Sequence, residues 1–318
     1  MSVISLSAGC AVWPFKRRLR NEFAPPQIYS QIPSKETLIA QINNSLQIQR
    51  LQTNTLTVTS DQTVAKLRGN MQWERPDRFK MQASLGSRAL GIQLGAGSNP
   101  EMFWFQKSNP PEIYYAKHTE FANYDGPKHI LPVSPLWLRE AIGIIEFADD
   151  WVTEEPVLRA DQKLELKTYI PADDAGQKFF RRHLVINPKS GVIEETRLYN
   201  ASSKLVAVAR QYEHEHFGSI NFSLPHRIEI QLHPDASPYL ETNVLAFTVE
   251  ISTHNINGSE APPSAFEPPD NTGVHSVNLV EFDRAQEMGP AFQPVGTPPQ
   301  YTPASQYTSG SLLDDIRR

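Results

Sequence analysis

The chain has 318 residues, 39% of them hydrophobic, with 30 basic and 35 acidic side chains and a net charge of −5. That size and apolar content support one large domain or two small ones, and the charge balance excludes the bulk basic excess that advertises nucleic acid. A single cysteine, Cys10, excludes an intramolecular disulfide and any Cys-x-x-Cys zinc or redox pair, and no run of about 18 apolar residues exists to span a bilayer as a helix.

The N-terminus reads MSVISLSAGC, in which Leu6-Ser7-Ala8-Gly9-Cys10 approximates a bacterial lipobox: small residues that fit a signal peptidase, then a thiol that takes a diacylglyceryl group. A secretory signal needs a basic region and an apolar stretch of about 7 to 15 residues. Only Val3, Ile4, Leu6 and Ala8 precede Cys10, so the expectation is a true start upstream of Met1 and a lipid anchor on Cys10, against a free cysteine in a leader. Residues 11–33 carry Lys16, Arg17, Arg18 and Arg20, then Pro25, Pro26 and Pro33. They read as a basic, proline-rich tether, fit either to lie on anionic lipid head groups or to remain a solvated linker.

Ser34 precedes KETLIAQINNSL, where Leu38, Ile39, Ile42 and Leu46 recur at helical spacing behind a serine N-cap. The period then becomes two. Leu67, Gly69, Met71 and Trp73 alternate with polar residues, and beyond the turn ERPD, Phe79, Met81, Ala83 and Leu85 share one face, which predicts an antiparallel hairpin. A second pair runs from Leu90, Ile92 and Leu94 through a glycine-rich turn GAGSNP to MFWFQ, followed by IYYA. The glycines lack a following Gly-Lys-Ser/Thr and read as turn residues, not a phosphate loop.

Ser134 before Pro135 predicts a second helix, PLWLREAIGII, apolar on more than one side and therefore covered on several. Strands resume in KLELKTYI, FRRHLVI, VIEETRLY, LVAVARQYEHEHF, HRIEIQL and VLAFTVEIS, with turns NPKSG and NASSK between them. The sum is a mainly β (α+β) chain of about ten antiparallel strands in successive hairpins, whose apolar face must close around something, most simply the two helices. Three regions follow: leader and tether 1–33, barrel domain 34–256, and a largely disordered tail 257–318. That tail is rich in proline, holds eight acidic and three basic residues, and has one strand-like piece, VHSVNLVEF.

Trp73, Arg75, Pro76 and Phe79 form a Trp-x-Arg-Pro-x-x-Phe turn at the end of an alternating strand, and Met102, Phe103, Trp104 and Phe105 follow a glycine turn. With the capped helix before them, and NPKSGVIEETRLYN and LPHRIEIQLHPD after, these segments resemble the bacterial lipoprotein carrier LolA and its receptor LolB over residues 34–256. The resemblance implies an incomplete antiparallel barrel with helices filling the open side, enclosing a hydrophobic cavity for acyl chains. It also implies that Arg75 contacts the helical lid, against a solvated turn arginine. Cys10, the tether and the tail depart from the soluble carrier and fit a membrane-tethered, receptor-like arrangement. The expected cavity residues are Trp73, Phe79, Met81, Met102, Trp104, Trp137, Leu138 and Ile142, large and adaptable side chains suited to an irregular apolar pocket. The partners expected are a lipid or acylated lipoprotein and, through the anchor, a membrane surface; nucleic acid is not one. The place expected is the cell envelope, on the periplasmic side of an outer membrane.

Other chemistries fare worse. His214-Glu215-His216 places two imidazoles on one face of a strand, able to bind zinc or copper if His226 or His233 converges, and also a common polar sheet face. Glu194-Glu195 and Asp149-Asp150 point to opposite faces if extended, there is no Gly-x-Ser-x-Gly, and no cysteine lies inside the domain. No enzyme, cofactor or metal is implied. The alternative to lipid binding is a structural or interaction protein whose barrel is filled by its own side chains and whose tail docks a partner.

Overall fold

The computed structural model describes residues 23–60, 66–85, 93–108, 111–171, 179–235, 244–270 and 274–287. The first half of the chain forms β1 (Arg50–Ser60), β2 (Lys66–Glu74), β3 (Arg78–Ser84), β4 (Gln93–Ser98), β5 (Met102–Ser108) and β6 (Pro111–Lys117). Two short strands, β7 (Val152–Thr153) and β8 (Val157–Leu158), precede β9 (Leu164–Pro171), β10 (Phe179–Ile186) and β11 (Ile193–Tyr199). Then come β12 (Leu205–Phe217), β13 (Phe222–Leu232), β14 (Leu245–Ile251), β15 (Asn255–Ile256) and β16 (His275–Asn278). The helices are α1 (Lys35–Asn43), α2 (His118–Asn123), α3 (Trp137–Ala141) and α4 (Leu279–Glu287).

All sixteen strands belong to one sheet that does not close, ordered β16-β6-β5-β4-β3-β2-β1-β14-β13-β12-β11-β10-β9-β7, with β15 on β1 and β8 on β9. Pairing is antiparallel except for β16 on β6. β1 joins the halves, pairing β2 on one side and β14 on the other. It is missing from the strands expected above, although RLQTNTLTVTS sets threonine against leucine and valine in a β-branched strand pattern, with Leu51, Leu56 and Val58 buried.

One face of the sheet carries the core. α1, capped by Ser34 accepting from the Thr37 N–H, turns Leu38 and Ile42 onto Leu164, Leu166, Leu184, Ile186 and Ile193. α3 sets Trp137 and Ala141 among Leu56, Leu67, Ile228 and Val249.

Four expectations change. The strands number sixteen rather than about ten, the additions being β1 and several pairs of two to four residues. The helix expected over PLWLREAIGII holds only Trp137–Ala141, because Gly143 at φ 86° breaks the right-handed path before Ile144 and Ile145. VHSVNLVEF is half strand, half helix: the Asn278 side chain accepts from the N–H groups of Val280 and Glu281 and starts α4. Gly95 and Gly97 lie inside β4, not in the turn, which is made at Asn99. A side chain on Gly97 would meet the Trp104 indole at 2.3 Å, so the glycine lets that ring lie flat on the strand.

Gly69 in β2 is the tightest backbone contact, since an added Cβ would fall 1.7 Å from the Gln82 carbonyl oxygen of β3. Gly69→Ala is therefore expected to destabilise by about 2 to 3 kcal/mol, read by urea unfolding. Gly218→Ala, where nothing stands within 4 Å, should stay within about 0.5 kcal/mol.

Candidate functional site

The segment from Lys128 to Phe147 lies against the apolar face and is bonded at both ends. At its start the Lys128 N–H donates to Asp235 Oδ2 at 2.8 Å and the His129 N–H to Asp283 Oδ1 at 3.0 Å, the latter on α4. At its end Glu140 holds the buried Arg182 of β10 through Nε at 3.2 Å and Nη2 at 2.8 Å. The Gln211 side-chain amide donates to the Ala141 carbonyl at 2.9 Å, and the Ser45 hydroxyl to the Ile145 carbonyl at 2.7 Å. Burial lowers the pKa of Arg182 and Glu140 opposes that, so the cation is kept charged by its partner.

Between these anchors Ile130, Leu131, Val133, Pro135, Trp137 and Leu138 form one wall of an apolar cavity of about 180 Å³. The sheet forms the other. Met81 of β3, Leu94 and Ala96 of β4 and Phe105 of β5 come from one side of β1, which gives Val58; Ile230, Leu232, Leu245 and Phe247 come from β13 and β14 on the other. The floor thus spans neighbouring strands in sheet order, β2 alone contributing no lining residue.

Of the residues singled out in the sequence, Met81, Trp137 and Leu138 line this cavity. Trp73, Phe79 and Ile142 are buried in the surrounding core without lining it. Met102 and Trp104 flank Phe103 in β5, and strand alternation sends them to the face opposite Phe105 and the cavity. MFWFQ is apolar at four successive positions and so carried no signal for which residues face in. Ile230, Leu232, Leu245 and Phe247 were read only as strand residues; their distance in sequence from the β3 hairpin hid their place in the cavity.

Arg75 contacts both helical segments. Its Nε donates to the Ile48 carbonyl at 2.9 Å and its Nη2 to the Ser45 carbonyl at 3.2 Å, beyond the C-terminus of α1. Its Nη1 pairs with Glu146 at 3.0 Å, after α3, and its guanidinium lies 5.3 Å from the Trp73 ring centroid. Cys10 and the cluster Lys16 to Arg20 lie outside the described residues. His214 and His216 do not converge with His233: His216 bonds the Ser223 hydroxyl at 3.2 Å, and His214 is held down to about 4 chiefly by burial. Among the described residues no helix is long and apolar enough to cross a membrane.

No protein-family model and no curated protein matches the chain. Solved structures similar to this chain include a DUF1329 family protein from Desulfovibrio piger, with a TM-score of 0.45, 9% identity and coverage of 73% of this chain and 97% of that one. A putative outer membrane lipoprotein-sorting protein domain from Vibrio parahaemolyticus follows at 0.43, 12% identity, 72% and 94%. A LolA superfamily protein from Nitrosomonas europaea stands at 0.44, 11% identity, 74% and 98%.

Glu140 faces a buried guanidinium, so Glu140→Ala strands that charge and is expected to cost about 3 to 5 kcal/mol in chemical unfolding. Removing Asp161 from its exposed pair with Arg159 should leave the unfolding midpoint essentially unchanged.

Proposed function

We propose that the protein binds the acyl chain of a lipid or of an acylated lipoprotein in this cavity, as a membrane-tethered carrier or receptor of the bacterial envelope, and that it acts by binding rather than by catalysis. The observation that carries the reading is the cavity wall, in which Met81, Phe105, Trp137, Leu138 and Phe247 meet across a gap built from the sheet and a doubly anchored segment. Such a lining offers a hydrocarbon chain about 0.8 kcal/mol for each methylene it buries, and little to a polar ligand. In this reading the open sheet is a half-barrel and the helical segments are its lid.

The volume sets the mechanism. About 180 Å³ is close to the roughly 150 Å³ of an engineered cavity that admits benzene, room for part of an acyl chain. Full loading then requires the stretch from Ile130 to Leu138 to move outward, which exposes apolar surface until the chain replaces it. Arg75 belongs to the far anchor: it ties the chain just beyond α1 to the segment after α3 and fixes that end while the middle moves. Cys10 supplies the tether, with the membrane surface competing for cargo.

The test is titration of detergent-free, full-length protein with a fluorescent fatty acid, alongside native mass spectrometry of the protein as purified. Saturable binding at one chain per protein is expected. Ala96→Phe, which fills the space beside Phe105, should weaken it at least tenfold, about 1.4 kcal/mol. Arg75→Leu should speed ligand exchange more than it changes affinity. A solid interior with no bound lipid and no titratable site would replace this reading with the filled, partner-docking one.

A further inference from the structure

A second site lies at the far end of β12 and β13. The ladder between them steps from Tyr212↔Arg227 to His214↔Pro225, passing over Glu213, whose φ is 56°. Past it the register is unchanged, and the pairing Glu215↔Leu224 puts Glu215 on the face of β13 that carries Leu224 and His226. The Glu215 carboxylate reaches His226 of β13, with Oε2 2.8 Å from Nε2, and His254, in the segment after β14, closes the group. One ligand atom from each of Glu215, His226 and His254 lies within 4.8 Å of the others.

The hydrogen bonds fix the chemistry. His226 Nδ1 lies 2.6 Å from the Ile251 carbonyl oxygen, which can only accept, so Nδ1 carries the proton. Nε2, at hydrogen-bond distance from the carboxylate oxygen, shares a proton with it when no metal is bound, and a metal ion would take that proton's place on the Nε2 lone pair. His254 adds a second lone pair: both of its ring nitrogens are buried, and the Pro225 carbonyl is in reach to accept the N–H of one of them. The buried lone pair of the other is costly unless something takes its electrons.

We propose that Glu215, His226 and His254 bind one divalent transition-metal ion of the zinc class. Two imidazoles and one carboxylate are a donor set that such ions take, leaving a fourth position for water. The backbone carbonyl on His226 Nδ1 is the outer contact that orients a metal-bound imidazole. Two ligands at about 2.1 Å from one tetrahedral ion sit about 3.4 Å apart, so Glu215 and His226, now 2.8 Å apart, open slightly while His254, within 4.8 Å of them, moves in. The ion ties β12 to β13 and to the chain leaving β14, and its function is to hold that end of the sheet together. The site shares no residue with the acyl cavity, so either assignment can fail without the other.

The experiment is zinc titration of the untagged, chelator-stripped full-length chain with a competing chromophoric chelator, repeated with cobalt for its visible absorption. One zinc per chain is expected, with a rise in Tm. His254→Gln and Glu215→Gln should each weaken binding at least tenfold, and His216→Gln should leave it unchanged. In the wild-type chain, zinc should slow hydrogen exchange at the ring C2–H of His254, a readout that holds even where a substituted chain does not fold. Absence of one-equivalent binding, equal binding by the variants, or unchanged exchange at His254 would overturn the proposal and leave Glu215 and His226 as a proton-bridged ion pair.

Discussion

The buried pair of Arg182 and Glu140 holds the structure to one arrangement. A large sheet with one apolar face must keep that face covered, yet the helices available are nine residues in α1 and five in α3, too short to persist on their own. Apolar contact alone would let them slide. Arg182, 1% exposed, cannot lose Glu140 without leaving a bare charge in the core, so the register of α3 on β10 is set by electrostatics and not only by packing. Ser45, Gln211 and Arg75 add bonds to backbone carbonyls that need no partner of exact shape. The polar groups thus supply the specificity that the short helices lack.

Those bonds are unevenly placed, and the unevenness makes a site. They gather at Lys128 and His129 on one side and from Glu140 to Phe147 on the other. The stretch between them meets the sheet chiefly through side chains such as Leu131, Val133 and Leu138. Apolar contacts are non-directional and can be exchanged for contacts with another hydrocarbon at little net cost. A segment held by ion pairs and hydrogen bonds at its ends and by grease in its middle can bow outward without breaking its anchors. Asp283 on α4 belongs to the first anchor, so α4 takes part in holding the segment from Lys128 to Phe147 on the sheet.

The sequence carried much of this and concealed the rest for identifiable reasons. The hairpin of β2 and β3, the Asn187 to Gly191 turn and the capped α1 follow from local periodicity and turn chemistry, and the structure has them. β1 carries a strand pattern of threonine, leucine and valine that is legible locally, whereas Gly95 and Gly97 read as turn residues because their reason for being glycine, the Gln106 and Trp104 side chains of the next strand, is not local. Met81, Trp137 and Leu138 line the cavity, and the unbroken apolar run around Trp104 has no readable inner face. Glu215, His226 and His254 come from three segments, which only the pairing of β12 with β13 and the path of the chain after β14 bring together.

An open sheet has two edges to protect from pairing with other chains. At one end β7 and β8 are two residues each, too short to template a partner, although Val152, Val157 and Leu158 are exposed there. At the other end β16 covers β6 in parallel and leads directly into α4, whose Leu279 and Val280 pack on Phe103 and Phe105. Closing the sheet into a full barrel would remove both edges but would also seal the apolar face and fix its volume. With the edges blunted by short strands and by a C-terminal cover, the sheet can stay open, and the face beneath the anchored segment stays reachable.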